Sequence, residues 1–157
     1  MKILILLIAI IQCIFAGEES VRVIGRMLCH GKPAQFVELQ LVSEHPIGEN
    51  SHWSALSKWQ FSGGTKFAKD VFTDPDGYFD ISGYIYNSHW TPIDARLYVW
   101  HTCMEKEYEL IDPCFNRFKL SIPRIKVSEG PLADKTWNIG EFELKEWKSG
   151  QSLWCND

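Results

Sequence analysis

Short runs of alternating apolar and polar residues, separated by turn signals, limit the possible folds most strongly. The clearest run is 95–103, in which Arg96, Tyr98 and Trp100 alternate with apolar positions, the period-2 pattern of a half-buried strand. Similar runs occupy residues 21–29, 37–41, 66–72, 78–83, 117–122 and 137–144. Gly140 shifts the alternation in the last run by one residue, as a β-bulge would. A parallel α/β fold needs helices of about 10–15 residues between its strands, and no such helix separates the runs, so we predict an all-β sandwich of about seven or eight strands.

One turn signal is especially strong. Residues 73–77, Thr-Asp-Pro-Asp-Gly, combine a proline that fixes φ with a glycine that accepts positive φ. We predict a hairpin here, with residues 66–72 and 78–83 as its two strands. Asp74 and Asp76 do not follow the spacing of an EF-hand loop, so a role in the turn is favoured over calcium binding.

Residues 1–16 have the composition of a secretory signal peptide. Lys2 precedes a run of roughly a dozen apolar residues, and the small residues Ala16 and Gly17 follow. A bilayer span needs about 20 residues, so a retained signal anchor is the less favoured alternative. We expect cleavage after Ala16, or after Gly17, and a secreted, extracellular single domain of residues 17–157 without a transmembrane segment.

Cysteine usage agrees with secretion. The chain has five cysteines, and Cys13 lies within the predicted signal peptide. In a secreted chain, the remaining Cys29, Cys103, Cys114 and Cys155 indicate two disulfides, with three possible pairings. We prefer Cys103–Cys114 with Cys29–Cys155, because Cys103 ends one predicted strand and Cys114 begins the next. Zinc is disfavoured, since no Cys-x-x-Cys pair is present and the cysteines are widely spaced.

Charge excludes two classes of partner. Sixteen lysines and arginines face 20 aspartates and glutamates, giving a formal net charge of −4, and no basic run occurs. Neither nucleic acid nor an anionic lipid surface is therefore an expected partner.

Aromatic residues carry the main functional signal, at 13% of the chain. Tyr98 and Trp100 share the polar face of their predicted strand with Arg96, and exposed aromatics beside arginine are typical of binding surfaces. The segment 43–66 is a long, aromatic-rich connection, and connections of this length are often functional. The alternative is that this segment simply covers the same face of the strand. The candidate binding surface consists of Trp53, Trp59, Trp90, Arg96, Tyr98 and Trp100.

A set of short motifs in chain order resembles the nematode transthyretin-like family. The motifs are Val21-x-Val23-x-Gly25, Leu28-Cys29-x-Gly31-Lys32-Pro33-Ala34, Thr73-Asp74-x-Asp76-Gly77-x-Phe79-x-Ile81-x-Gly83, Leu97-x-Val99-x-His101-x-Cys103 and Asn138-Ile139-Gly140-x-Phe142-x-Leu144. The resemblance covers roughly residues 20–145 and implies a secreted, transthyretin/immunoglobulin-like β-sandwich without enzymatic activity. The segment 43–66 is longer and richer in aromatics than the family pattern, so the resemblance implies no ligand surface there.

No catalytic motif is visible. The chain lacks the Tyr-Arg-Gly-Ser ending of the related hydroxyisourate hydrolases, and it has no Gly-x-Ser-x-Gly or His-Glu-x-x-His sequence. We expect an extracellular binding protein that uses no cofactor or metal and recognises a small apolar molecule, a lipid or a cell-surface protein. Two alternatives stay open: an unrecognised secreted hydrolase, and a homo-oligomer formed through exposed edge strands.

Overall fold

The structure, a computed structural model, describes residues 17–44, 65–87, 92–103, 114–146, 148 and 150–155. Its strands are β1 (Gly17–Cys29), β2 (Lys32–Pro33), β3 (Glu38–Ser43), β4 (Thr65–Lys66), β5 (Val71–Phe72), β6 (Tyr78–Asn87), β7 (Ala95–His101), β8 (Cys114–Ser121), β9 (Ser128–Glu129), β10 (Thr136–Glu143) and β11 (Ser152–Cys155). A 3-10 turn, Arg124–Lys126, lies between β8 and β9. Within these ranges, no helix has the length and apolar character needed to cross a membrane. The predicted signal peptide lies outside the described residues.

The strands form two sheets. Sheet A is built around β1, which pairs with β2, β6 and β9 in antiparallel orientation and with β10 in parallel orientation. Sheet B has the strand order β11-β8-β7-β3-β4, and β5 also pairs with β3. Seven of these strands are longer than two residues. The prediction of an all-β sandwich of transthyretin-like type is confirmed.

The core lies between the two sheets and is built from alternate residues of their strands. Val21 and Val23 of β1 are fully buried, as are Leu97 and Val99 of β7. Phe118 of β8 stacks against the opposite sheet. Burial of one such side chain contributes about 1.5–3 kcal/mol to stability. The period-2 pattern therefore predicted correctly which face of β7 is buried.

The turn at residues 73–77 forms, but the predicted hairpin is wrong. Residues 66–72, predicted as its first strand, do not form one continuous strand; the structure has two short strands there, β4 and β5. β5 pairs with β3 in sheet B, whereas β6 pairs with β1 in sheet A, so the turn carries the chain from one sheet to the other. The Thr73 hydroxyl fixes this crossing, because it donates to the Ala34 carbonyl at 2.7 Å and accepts from the Val37 N–H at 2.9 Å.

Asp74 and Gly77 form the inside of this turn. The Asp74 carboxylate accepts hydrogen bonds from the backbone N–H groups of Asp76 and Tyr78, at 3.0 and 2.8 Å. Gly77 has a φ of 81°, and a Cβ at this position would lie 2.4 Å from the Met27 carbonyl oxygen. The two residues therefore serve the turn itself, as the sequence interpretation favoured.

The predicted bulge at Gly140 is confirmed. Ile24 pairs with Asn138, whereas Arg26 pairs with Glu141, so the register of β1 and β10 shifts between these two pairs. Gly140 has a φ of 69°, a conformation that suits a glycine in a bulge.

A disulfide joins Cys29, the last residue of β1, to Cys103, just beyond β7. The two Cα atoms are 5.8 Å apart, and the bond fastens sheet A to sheet B. The preferred pairings Cys103–Cys114 and Cys29–Cys155 are therefore both wrong. Proximity along the chain suggested them, but Cys29 and Cys103 end strands in facing sheets at the same end of the sandwich. In the chain-entropy model, a loop of this length contributes on the order of 4 kcal/mol.

Candidate functional site

The outer face of sheet B contains three residues of the predicted binding surface. Arg96, Tyr98 and Trp100 alternate along β7 with side chains of the core, so the structure brings them together on one face. Trp53, Trp59 and Trp90 lie outside the described residues, and their part of the prediction stays a prediction.

Tyr98 is less accessible than the sequence suggested, with an exposed fraction of only 9%. Its hydroxyl donates to a carboxylate oxygen of Glu44 at 2.5 Å. The same carboxylate accepts two hydrogen bonds from the Lys119 ammonium, at 2.7 and 3.0 Å, and lies 3.5 Å from the Arg96 guanidinium. Glu44 is thus the centre of a charged network that joins Tyr98, Lys119 and Arg96.

The network shifts the pKa values of two of its members. Burial alone would raise the pKa of Glu44, but hydrogen bonds from Lys119 and Tyr98 and the charges of Lys119 and Arg96 outweigh it, so the pKa lies below its ordinary value. Burial, followed by the hydrogen bond to Glu44 and its charge, raises the pKa of Tyr98 to about 12. The Tyr98 phenol is therefore protonated at neutral pH and is unsuited to act as a base.

Arg117 covers the aromatic rings of the same face. Its guanidinium carbon lies 5.6 Å from the centre of the Tyr98 ring and 5.1 Å from that of the Trp100 ring, within the range of a cation–π interaction. A ligand that used these two rings would have to displace Arg117 or stack beyond it.

The outer face of sheet A is more open. Tyr78, Tyr84 and Tyr86 share one face of β6, and their exposed fractions are 54%, 54% and 63%. Phe79 and Ile81, on the other face of the strand, point into the core. Alternation with these apolar residues was the sequence signal for an outward row of tyrosines, but the sequence interpretation used it only to place a strand.

A groove of about 620 Å³ lies on this face. We call it the Tyr84 groove; it is lined by Arg22, Asp80, Ser82, Gly83, Tyr84, Pro131, Leu132 and Ala133. Residues of β1 and β6 form one wall, and the segment after β9 forms the other. Leu132, in that second wall, is 82% exposed. The groove thus places an accessible aromatic ring opposite an accessible apolar side chain.

Arg22 and Asp80 supply the charges of the Tyr84 groove, and they neutralise each other. The Arg22 Nε and Nη2 atoms donate to the two oxygens of Asp80, at 3.0 and 2.6 Å. The hydrogen bond from Arg22, opposed by partial burial and assisted by the charge of Arg22, holds the pKa of Asp80 below its ordinary value. The groove therefore offers hydrogen-bonding groups without a net charge at neutral pH.

A second, smaller groove of about 270 Å³ surrounds Tyr78. Here Arg26 forms an ion pair with Glu141 at 2.9 Å, and its guanidinium carbon lies 5.0 Å from the centre of the Tyr78 ring. Tyr78 and Tyr84 are equally exposed, but Tyr78 already has a cation on its ring.

Neither groove brings together the parts of a hydrolytic site. Among the described residues, no histidine lines either one. His101 is 3% exposed. The exposed His30 lies beside Cys29 and Cys103, but the sulfur atoms of these cysteines are bonded to each other.

Comparison with known proteins identifies the family. The model of the transthyretin-like family matches residues 24–123. The chain belongs to the transthyretin-like family. The family resemblance predicted from the motifs is thus confirmed. The matched range includes β6 but ends before Pro131–Ala133, so the second wall of the Tyr84 groove lies beyond it.

Curated relatives from Caenorhabditis elegans extend the similarity beyond the matched range. Transthyretin-like protein 5 is 27% identical over 157 residues, which cover 99% of each chain. Transthyretin-like protein 2 is 29% identical over 142 residues, covering 90% of this chain and 86% of the relative. Transthyretin-like protein 1 is 28% identical over 130 residues, covering 83% and 74%.

Among solved structures, a 9R-lipoxygenase from Cyanothece is similar over 82% of this chain and 17% of that enzyme, with 14% identity and a TM-score of 0.40. That likeness carries no functional argument.

Proposed function

We propose that this member of the transthyretin-like family is a secreted, non-enzymatic binding protein, and that the Tyr84 groove is a ligand site. The observation that carries the proposal is the composition of the groove. It combines an exposed ring, an apolar wall and one neutralised ion pair, and binding sites typically combine apolar surface with a few placed polar groups.

Two features support binding rather than catalysis. The described part of each groove contains no histidine. The names of the relatives indicate no catalytic activity. The hydrolase alternative therefore has no support among the residues that the structure describes.

The extracellular location is supported by two features. Residues 1–16 have the composition of a signal peptide. The Cys29–Cys103 disulfide agrees with an oxidising compartment, where such bonds persist.

A titration of the isotope-labelled protein tests the binding proposal. Maltotriose, palmitate and inorganic phosphate are added separately, and backbone amide shifts are recorded by NMR. We expect at least one probe to give saturable shifts at Ser82, Tyr84 and Leu132. Absence of shifts at these residues with every probe would contradict the proposal.

A second candidate surface is the outer face of sheet B. Its support is the half-buried Trp100 next to Arg96 and Arg117, to which the sequence adds Trp53, Trp59 and Trp90. The same titration reads this surface through the indole N–H signal of Trp100. Shifts there, and their loss when residues 45–64 are shortened with Glu44 kept, would favour sheet B over the Tyr84 groove.

A further inference from the structure

We infer that the ligand of the Tyr84 groove is a neutral saccharide. The inference rests on the proposed function, because it names the class of ligand for the same groove. A pyranose ring has an apolar face of C–H groups and an edge of hydroxyl groups, and the groove offers a matching group for each.

The apolar face of a sugar matches Tyr84. This ring is 54% exposed and lines the groove directly. Leu132, which is 82% exposed, and Pro131 form the opposite wall. A flat ligand inserted between them covers apolar surface on both of its sides, which favours binding.

The hydroxyl groups of a sugar match the Arg22–Asp80 pair and Ser82. A guanidinium has five N–H donors, and Arg22 uses two of them on Asp80. The carboxylate oxygens of Asp80 have lone pairs beyond those two bonds, and the exposed Ser82 hydroxyl both donates and accepts. Neighbouring sugar hydroxyls require such adjacent donors and acceptors, because each hydroxyl both donates and accepts.

Charge argues against an anionic ligand. Arg22 is the only cationic residue that lines the groove in the described part of the chain, and its charge is compensated by Asp80 at 2.6 Å. Phosphate or sulfate would have to compete with this carboxylate. The whole chain also carries a formal net charge of −4, which repels anions at long range.

The ion pair argues against a lipid chain as well. An acyl chain lying along the groove would cover Arg22 and Asp80 without offering hydrogen bonds, and covering charged groups in this way is costly. The side chains of both residues are about half exposed, at 45% and 51%, so they keep water in the free groove. A saccharide replaces that water with its own hydroxyls.

Titration of the full mature chain with neutral trisaccharides tests the inference. The probes are triacetylchitotriose, mannotriose and maltotriose, followed by amide shifts at Ser82, Tyr84 and Leu132. We expect saturable binding of at least one probe. Tyr84→Ala should weaken this binding about tenfold, as expected for the loss of one stacked ring. Tyr78→Ala is the matched control, because Tyr78 lies on the same strand with the same exposure, and it should leave the affinity within about twofold.

Asp80→Asn gives a second test that is specific for charge. This variant leaves Arg22 uncompensated, so we expect weaker binding of the neutral trisaccharide and stronger binding of a sulfated disaccharide. Unchanged binding of both would overturn the assignment of the polar contacts.

Two further results would overturn the inference, and they differ in what they imply. If palmitate or phosphate shifts the groove residues while no neutral saccharide does, the saccharide is the wrong ligand class but the groove still binds. If no probe of any class shifts them, the proposed function fails together with the inference.

Discussion

His101 and Asn116 lie opposite each other on β7 and β8, and both side chains are buried. The His101 ring packs edge-on against Phe118, with ring centres 5.6 Å apart. Burial, only partly opposed by the nearby backbone of Cys103, lowers the pKa of His101 to about 4. The folded protein therefore holds this histidine neutral at pH values where an exposed histidine carries a proton.

We predict that acid destabilises the fold through His101. In the unfolded chain its pKa is about 6.5, so the unfolded state binds a proton that the folded state excludes. The contribution to stability is complete above that value and is lost as the pH falls from about 6.5 to about 4, by on the order of 3 kcal/mol. Urea unfolding at several pH values measures it. The variant His101→Leu should lack this part of the decline; an equal decline in both proteins would exclude His101 as its source.

The second disulfide is expected to join Cys114 and Cys155. These residues are direct partners in the antiparallel pair of β8 and β11. Opposite residues in such a pair have Cα atoms about 4.5–5.5 Å apart, a separation that a disulfide spans. Peptide mapping without reduction should yield a Cys114–Cys155 peptide beside Cys29–Cys103. Free thiols at both positions, or a mixed pairing with Cys29, would refute this assignment.

The Glu44 network is expected to stabilise the fold more than the Arg22–Asp80 pair. Tyr98→Phe removes a hydrogen bond to a carboxylate that is only 18% exposed, and should lower the free energy of unfolding by about 1.5–3 kcal/mol. Asp80→Ala breaks a pair whose side chains are about half exposed, and should cost no more than about 1 kcal/mol. Chemical denaturation of both variants measures the contrast. Equal losses would show that burial does not decide the strength of these contacts.

The mature chain is predicted to begin at Gly17, or at Glu18. The carboxylate of Glu19 accepts a hydrogen bond from the Ile93 N–H at 3.0 Å and forms an ion pair with Arg124. Cleavage beyond Glu19 would remove these contacts from the fold. N-terminal sequencing of the protein secreted by a eukaryotic host tests the prediction. A secreted protein that keeps residues 1–16, or that begins after Glu19, would contradict it.

Local patterns predicted most of the longer strands and the buried face of β7 correctly, although residues 66–72 do not form one continuous strand. Alternation alone was sufficient to predict the burial of Leu97 and Val99. Because the side-chain period of a strand is two, both residues must lie on the same face, and that face is the one that packs in the core. The shift of the apolar alternation at Gly140 was sufficient to predict the bulge, since one extra residue moves every later side chain of the strand to the opposite face. These features depend on residues that are close together in the sequence.

Features that depend on partners distant in sequence were missed. The sequence of residues 73–77 predicts a turn but does not indicate which sheet contains the strand on either side of it. It therefore predicts a hairpin where the chain in fact crosses between the sheets at Thr73. Cysteine pairing failed for the same reason, because Cys103 is bonded across the sandwich to Cys29. The second wall of the Tyr84 groove is also distant in sequence, since Leu132 follows β9 and β9 pairs with the start of β1.

Gly77 is predicted to be the least replaceable glycine of the turns. At a φ of 81°, any other residue is strained, and a Cβ would also lie 2.4 Å from the Met27 carbonyl oxygen, a backbone atom that cannot move away alone. Gly31 is the matched control, because it has a φ of 72° but no atom within 4 Å of the position that an alanine Cβ would occupy. Gly31→Ala should therefore cost only the conformational penalty, about 1–2 kcal/mol.

Gly77→Ala adds the steric clash to the same penalty, so its loss of stability should exceed about 3 kcal/mol, in the range of severe single substitutions. Urea denaturation of both variants with the disulfides intact measures the difference. Equal losses of stability in the two variants would mean that the turn between β5 and β6 can move away from the end of β1 without further cost. A larger loss for Gly77→Ala would show that the close approach of residue 77 to the Met27 carbonyl excludes a side chain. Met27 lies where the turn carries the chain onto sheet A.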